Sequence, residues 1–124
     1  MAPNTDRAAD LMSDMDPSLL SFVQTKVTSF IKWDLMRFLY ENPHTLDSAS
    51  NIARYTGRNV NDVGPELDDL VETDVLHKRL LNDMAVYSLS PDEGTRQLLG
   101  KFVAACQDRS FRLKAVYHII KNMR

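Results

Sequence analysis

The first part of the chain repeats apolar residues with the period of an α-helix. Asp16 is a favourable N-cap residue, and Pro17 suits the first helical position. The pattern predicts one long amphipathic helix, or two helices broken near Thr28-Ser29. It ends before Asn42-Pro43, because the residue before a proline avoids the α region. The apolar positions recur at steps of three and four residues: Leu20, Val23, Val27, Phe30, Ile31, Leu35, Phe38 and Leu39.

Two shorter helices are predicted next. Asp47 or Ser48 caps the first of them, and Gly57 ends it, since glycine adopts the left-handed conformation at a helix C-terminus without strain. The second helix starts at Gly64, or it starts near Asn61 and loses one hydrogen bond, because Pro65 has no amide proton. The inward positions of the two helices are Ala49, Ile52, Ala53, Val63, Leu67, Leu70, Val71 and Val75.

A β-hairpin and two further helices complete the pattern. Residues 76–81 and 84–89 are predicted as short strands joined by a tight turn at Asn82-Asp83. Pro91 opens a fourth helix that runs through Cys106, and a last helix begins at about Ser110. The last helix carries one apolar stripe, which we expect to pack on the first helix or on a second subunit: Leu113, Val116, Tyr117 and Ile120.

The composition is that of one ordinary globular domain. The chain has 124 residues, of which 44% are apolar and 26% charged. We expect a flexible segment over residues 1–15 and a single domain over residues 16–124. No run approaches 18 apolar residues, which excludes a membrane-spanning helix. The single cysteine, Cys106, excludes an internal disulfide, and the acidic N-terminal stretch is unlike a secretory signal, so we expect a cytoplasmic protein.

The charge is unevenly distributed although the net charge is only −2. Residues 59–76, which include the third predicted helix, contain six acids and no lysine or arginine. Residues 109–124 contain five basic residues and no acid. The acidic middle and the basic end are therefore the main electrostatic features of the chain.

The order of elements, together with particular residues, resembles a winged helix-turn-helix domain of the bacterial ArsR and MarR type of transcriptional regulator. Residues 33–43 (WDLMRFLYENP) are similar to the helix that leads into the motif, Ser50-Asn-Ile-Ala53 to its first helix, and Gly57 to its turn glycine. Residues 77–81 and 84–91 are similar to the wing and to the entry to the next helix. The resemblance covers about 70 residues and implies a mainly α fold with a small β-hairpin and extra N- and C-terminal helices. In this register, three residues of the recognition helix should be buried under Trp33, Leu35 and Leu39: Val63, Leu67 and Leu70.

The predicted recognition helix departs from the pattern of DNA-binding members, which carry neutral polar or basic residues on its outward face. Repulsion between carboxylates and phosphates opposes entry of this helix into a DNA groove, and Gly64-Pro65 distorts or shortens its first turn. The acids are either a solvated face or a surface for a protein partner: Asp62, Glu66, Asp68, Asp69 and Glu72.

Four basic residues are candidate nucleic-acid contacts: Arg54 and Arg58 beside the short helix, and Lys78 and Arg79 on the wing. The favoured alternative for the wing pair is an edge strand whose charges block aggregation. The three histidines lie in different elements and form no metal-ligand spacing with Cys106. No glycine-rich phosphate loop and no pairing of nucleophile and base is recognisable. We therefore expect no enzyme, no metal site and no cofactor.

The leading prediction for function is a non-enzymatic regulatory or adaptor module that acts through protein–protein contact as a homodimer. The stripe on the last helix is the candidate dimer interface, and the resemblance supports this, because members of the family commonly dimerise through terminal helices. The alternative is a DNA-binding transcriptional regulator whose contacts come from the wing and from the basic terminal residues.

Overall fold

The computed structural model describes residues 15–123, and these residues form six helices and one two-stranded antiparallel sheet. Met15, at the edge of the predicted flexible segment, is buried in the core, and residues 1–14 of that segment lie outside the described residues. The elements are α1 (Pro17–Lys26), α2 (Phe30–Glu41), α3 (Ala49–Thr56), α4 (Val60–Glu72), β1 (Leu76–Leu81), β2 (Met84–Leu89), α5 (Glu93–Ala105) and α6 (Arg109–Asn122).

The predicted first helix is two helices, broken at the place where the sequence offers a second cap. Asp16 accepts hydrogen bonds from the amides of Ser18 (2.8 Å) and Leu19 (3.3 Å) and so starts α1. Ser29 lies in extended backbone and accepts a bond from the Lys32 amide (3.1 Å), which starts α2. A side-chain oxygen thus satisfies free amides at the start of each helix.

Helices α3 and α4 form the helix-turn-helix. Ser48 caps α3, and Gly57 ends it in the left-handed region at φ +70°. Asp47 instead pairs through its backbone with Tyr87, which adds a one-residue bridge to the hairpin. Helix α4 begins at Val60 with Pro65 inside it, so the alternative of an early start with one missing bond is the correct one.

The hairpin matches its predicted bounds residue for residue. Asn82 (φ +51°) and Asp83 (φ +68°) both adopt positive φ, as a two-residue type I′ turn requires, and Leu81 pairs with Met84. Lys78 pairs with Tyr87, and both side chains reach Asp68 of α4. This face of the hairpin therefore lies against α4, and alternation along β1 puts the neighbouring side chains on the opposite face.

The last two helices start slightly differently from the prediction. Pro91 does not open α5: Asp92 is its N-cap, accepting from the Thr95 amide (2.8 Å), and Glu93 is its first residue. Helix α6 starts at Arg109, one residue before the predicted position, because the Asp108 carboxylate caps it. The residues of α6 that are buried in this chain are Phe111, Ala115 and Ile119, not the predicted stripe.

The core confirms the predicted register of the helix-turn-helix. Val63, Leu67 and Leu70 of α4 are fully buried, as are Leu35 and Leu39 of α2, the helix on which α4 packs. Trp33 is only partly buried. The centre of its ring lies 5.6 Å from the ring centre of Phe102 and 6.4 Å from that of Phe30. The architecture is a winged helix, mainly α with a small β-hairpin and with additional N- and C-terminal helices.

Candidate interaction surfaces

Glu66 is not on the outward face of α4. Its side chain is 19% exposed and lies in the contact with α2, where its carboxylate is 3.1 Å from the Lys32 ammonium. It also accepts a hydrogen bond from the Ser29 hydroxyl (2.7 Å). The charge of Glu66 is therefore already paired inside the chain, and we leave this residue out of the outer surface defined below.

Lys32 is the buried cation that sequence reasoning missed. The residue is only 8% exposed, and its ammonium donates to Thr28 Oγ1 (2.7 Å) and to Asp69 Oδ2 (3.3 Å) in addition to the Glu66 pair. A signal was present, since Lys32 lies three and seven residues before the buried Leu35 and Leu39 and so shares their face of the helix. Its partners offset the cost of burying a charge.

Asp68 joins the wing to α4. Its Oδ1 accepts from the Lys78 ammonium (2.9 Å) and from the Tyr87 hydroxyl (2.7 Å). These two bonds, chiefly that from Tyr87, lower the pKa of Asp68. The same carboxylate raises the pKa of Lys78, whose ammonium also lies 5.5 Å from the centre of the Tyr87 ring. The wing lysine is thus held by an acid of the recognition helix.

The remaining acids leave a negative outer edge on α4. Asp62 and Glu72 are exposed, and neither forms an ion pair within residues 15–123. Asp69 is 57% exposed although it also contacts Lys32. We define the outer α4 face as Asp62, Asp68, Asp69 and Glu72. It contains no basic residue of its own helix.

The four candidate nucleic-acid contacts do not form one surface. Arg58 is paired with Asp34 of α2, its Nε lying 2.9 Å from Oδ2, and Arg54 donates to the Asn51 side chain at 3.0 Å. Lys78 faces α4, whereas Arg79 lies on the opposite face of the hairpin. Within the described part of the chain, Arg79 is in no ion pair.

Helix α6 leaves most of the predicted stripe uncovered. Leu113 is 60% exposed and Ile120 is 52% exposed; Tyr117 is also exposed, and Val116 is half-buried. Because α6 packs on α1, a groove of about 670 Å³ remains between α2 and α6, with the end of α5 at its base. Its apolar lining is Phe30, Trp33, Val103, Leu113 and Val116. The stripe and this groove are continuous.

Cys106 and clusters of metal-binding side chains are the other candidates for a chemical site. Burial raises the pKa of the Cys106 thiol to about 11, so it carries almost no thiolate at neutral pH. Residues 15–123 contain no group of three or more His, Cys, Asp or Glu side chains placed to hold a metal ion. In the same residues, no helix has the length and apolar character needed to cross a membrane.

Similarity to known proteins is limited to distant structural resemblance. No family model and no curated protein matches the chain. One solved structure that resembles it is a "possible transcriptional regulator" from Methanosarcina mazei Go1. The two sequences are 14% identical, the alignment covers 85% of this chain and 81% of that one, and the TM-score is 0.44. A likeness this distant carries no argument about function, and membership of the ArsR or MarR type stays a prediction.

Proposed function

We propose that the chain is a non-enzymatic winged-helix regulatory module that acts through protein–protein contact and forms a homodimer. The observation that carries the proposal is that α4 exposes acids and that two nearby basic residues are already paired with acids of this chain. Helix α4 occupies the position of the base-reading helix of DNA-binding winged helices, but in this chain it presents carboxylates outward. The wing residue Lys78 is bound to one of them, Asp68. Arg58 is likewise bound to Asp34.

The electrostatic cost favours a protein partner over a DNA groove. One carboxylate ~6 Å from one phosphate costs roughly 0.7 kcal/mol in bulk water. Of the four carboxylates of the outer α4 face, Asp68 and Asp69 are paired with Lys78 and Lys32, whereas Asp62 and Glu72 have no ion pair within residues 15–123. If each of these two acids lay near two phosphates, the cost would be roughly 3 kcal/mol before salt screening. That approaches the lower end of the specific-over-nonspecific margin of a typical DNA-binding protein, ~4–10 kcal/mol. A basic or neutral protein surface has no such penalty.

The proposed homodimer interface is the exposed stripe of α6 with the adjoining groove. Clustered apolar side chains of this kind are typical of surfaces covered by another chain. A two-fold arrangement would use the same stripe and the same groove twice.

Replacing Ile120 by glutamate tests the homodimer. The new carboxylate would lie in an apolar interface without a partner, which is costly, so sedimentation velocity should show a shift from dimer to monomer. Leu80→Glu is the matched control, because Leu80 is an equally large and even more exposed apolar residue on the wing (67%). The control should remain dimeric. A wild-type protein that is monomeric at high micromolar concentration would refute the interface.

Selection from a random duplex library at physiological salt tests the protein-contact reading against the DNA-binding alternative. The wild type should yield no consensus and should bind duplex DNA no more tightly than the nonspecific range, ~10⁻⁴–10⁻⁶ M. Asp62→Lys combined with Glu72→Lys should strengthen nonspecific binding, because both changes remove repulsion from exposed, unpaired positions. A wild-type consensus bound at nanomolar affinity would establish the regulator instead.

A further inference from the structure

A second cleft, of about 320 Å³, lies on the face of the hairpin that points away from α4. It is bounded by the turn after α2, by the outer face of the two strands and by the first turn of α5. We call it the wing cleft, and its polar lining is His44, Thr45, His77, Arg79, Ser88 and Arg96. The function proposed above does not use it.

The fold brings these side chains together from separate parts of the chain. His77 and Ser88 are register partners and so share one face of the hairpin, and Arg79, two residues along β1, lies on that same face. Arg96 comes from α5, where its Nε donates to the Ser90 carbonyl at 2.7 Å. That bond holds the guanidinium in place and leaves its terminal nitrogens available.

The wing cleft is positively charged in a chain of net charge −2. None of the residues that line it is an acid. Neither Arg79 nor Arg96 forms an ion pair within residues 15–123, in contrast to Lys32, Lys78 and Arg58. Glu93, three residues before Arg96, lines a further groove between α2 and α5, which Arg96 also borders. Glu93 is in no ion pair within residues 15–123.

We propose that the wing cleft binds the phosphate group of a small molecule. Two arginines can donate several charge-assisted hydrogen bonds to one anion, and phosphate offers the acceptors for both. The Ser88 hydroxyl adds a neutral donor, and the rings of His44 and His77 add further hydrogen-bonding nitrogens. A small ligand fits better than a DNA backbone, because a duplex lying along α4 would be on the other side of the hairpin.

NMR titration at constant ionic strength and pH 7.5 tests the site, with inorganic phosphate in one series and adenosine monophosphate in another. Chloride replaces each anion in the reference samples. The His44 and His77 ring signals and the Ser88 amide should shift saturably with phosphate, with the nucleotide, or with both. Tighter binding of the nucleotide would identify an organic phosphate as the ligand, and equal binding would identify the bare anion; either result supports the site.

Arg79→Gln is the decisive variant, because Arg79 is exposed and makes no ion pair whose loss would disturb the fold. It should weaken binding roughly tenfold or more, as expected for losing a charged donor to an anion. Arg54→Gln removes an exposed arginine from α3, outside the wing cleft and outside the proposed dimer interface, and should leave binding unchanged. Absence of saturable shifts, equal weakening by both variants, or shifts produced only by duplex DNA would overturn the proposal.

Discussion

Replacing Glu66 by lysine should destabilise the protein by roughly 3–5 kcal/mol, the cost expected when one partner of a buried ion pair is removed. The substitution would place a second ammonium beside Lys32, which is almost fully buried, and would remove the acceptor of the Ser29 hydroxyl. Among the described residues, Asp69 would remain as the only carboxylate in an ion pair with Lys32. Urea unfolding followed by circular dichroism would measure the loss.

Asp62→Lys is the matched control for this experiment. It makes the same reversal of charge on the same helix, at an exposed position that contacts no cation within residues 15–123. The expected cost is about 0.3–1 kcal/mol, from losing an acid in the first turn of the helix. If Glu66→Lys were as mild as the control, the Lys32–Glu66 contact would contribute nothing to the fold.

Replacing Leu67 by alanine should cost about 2–5 kcal/mol, because it leaves a cavity at a fully buried position between α4 and α2. Val60→Ala on the same helix is the control: Val60 is 40% exposed, and its truncation should change stability by only about 0.5 kcal/mol. Both variants can be compared by urea unfolding. A loss below about 1 kcal/mol for Leu67→Ala would contradict the register of the helix-turn-helix.

Local signals in the sequence were sufficient for most of the fold. Asp16, Gly57 and Asn82-Asp83 each determine the backbone through their own side chain or their own φ, so their effect can be predicted from neighbouring residues. The bounds of both strands of the hairpin could be predicted for this reason. The predicted start of α5 at Pro91 lies two residues before Glu93, where the helix begins, because the carboxylate of Asp92 caps the free amide of Thr95.

Which residues belong to the candidate surfaces depends on contacts between residues far apart in the sequence. Counting charges along the sequence cannot predict such contacts. Glu66 has the same sign as Asp62 and lies on the same helix, yet only Glu66 meets a lysine 34 positions earlier in the chain. In helix α6, which apolar residues are buried likewise depends on contacts with distant parts of the chain. This helix carries two apolar stripes, and the sequence alone did not reveal that Phe111, Ala115 and Ile119 would be the buried one.

The contact of Asp68 with Lys78 and Tyr87 also constrains motion. A wing joined to its domain only through the two ends of its strands can swing as a flap. Here two hydrogen bonds join the middle of both strands to α4, and one of them comes from the buried Tyr87. Separating hairpin from helix would expose that ring and leave a carboxylate without its donors. We therefore expect the hairpin and α4 to open as one unit.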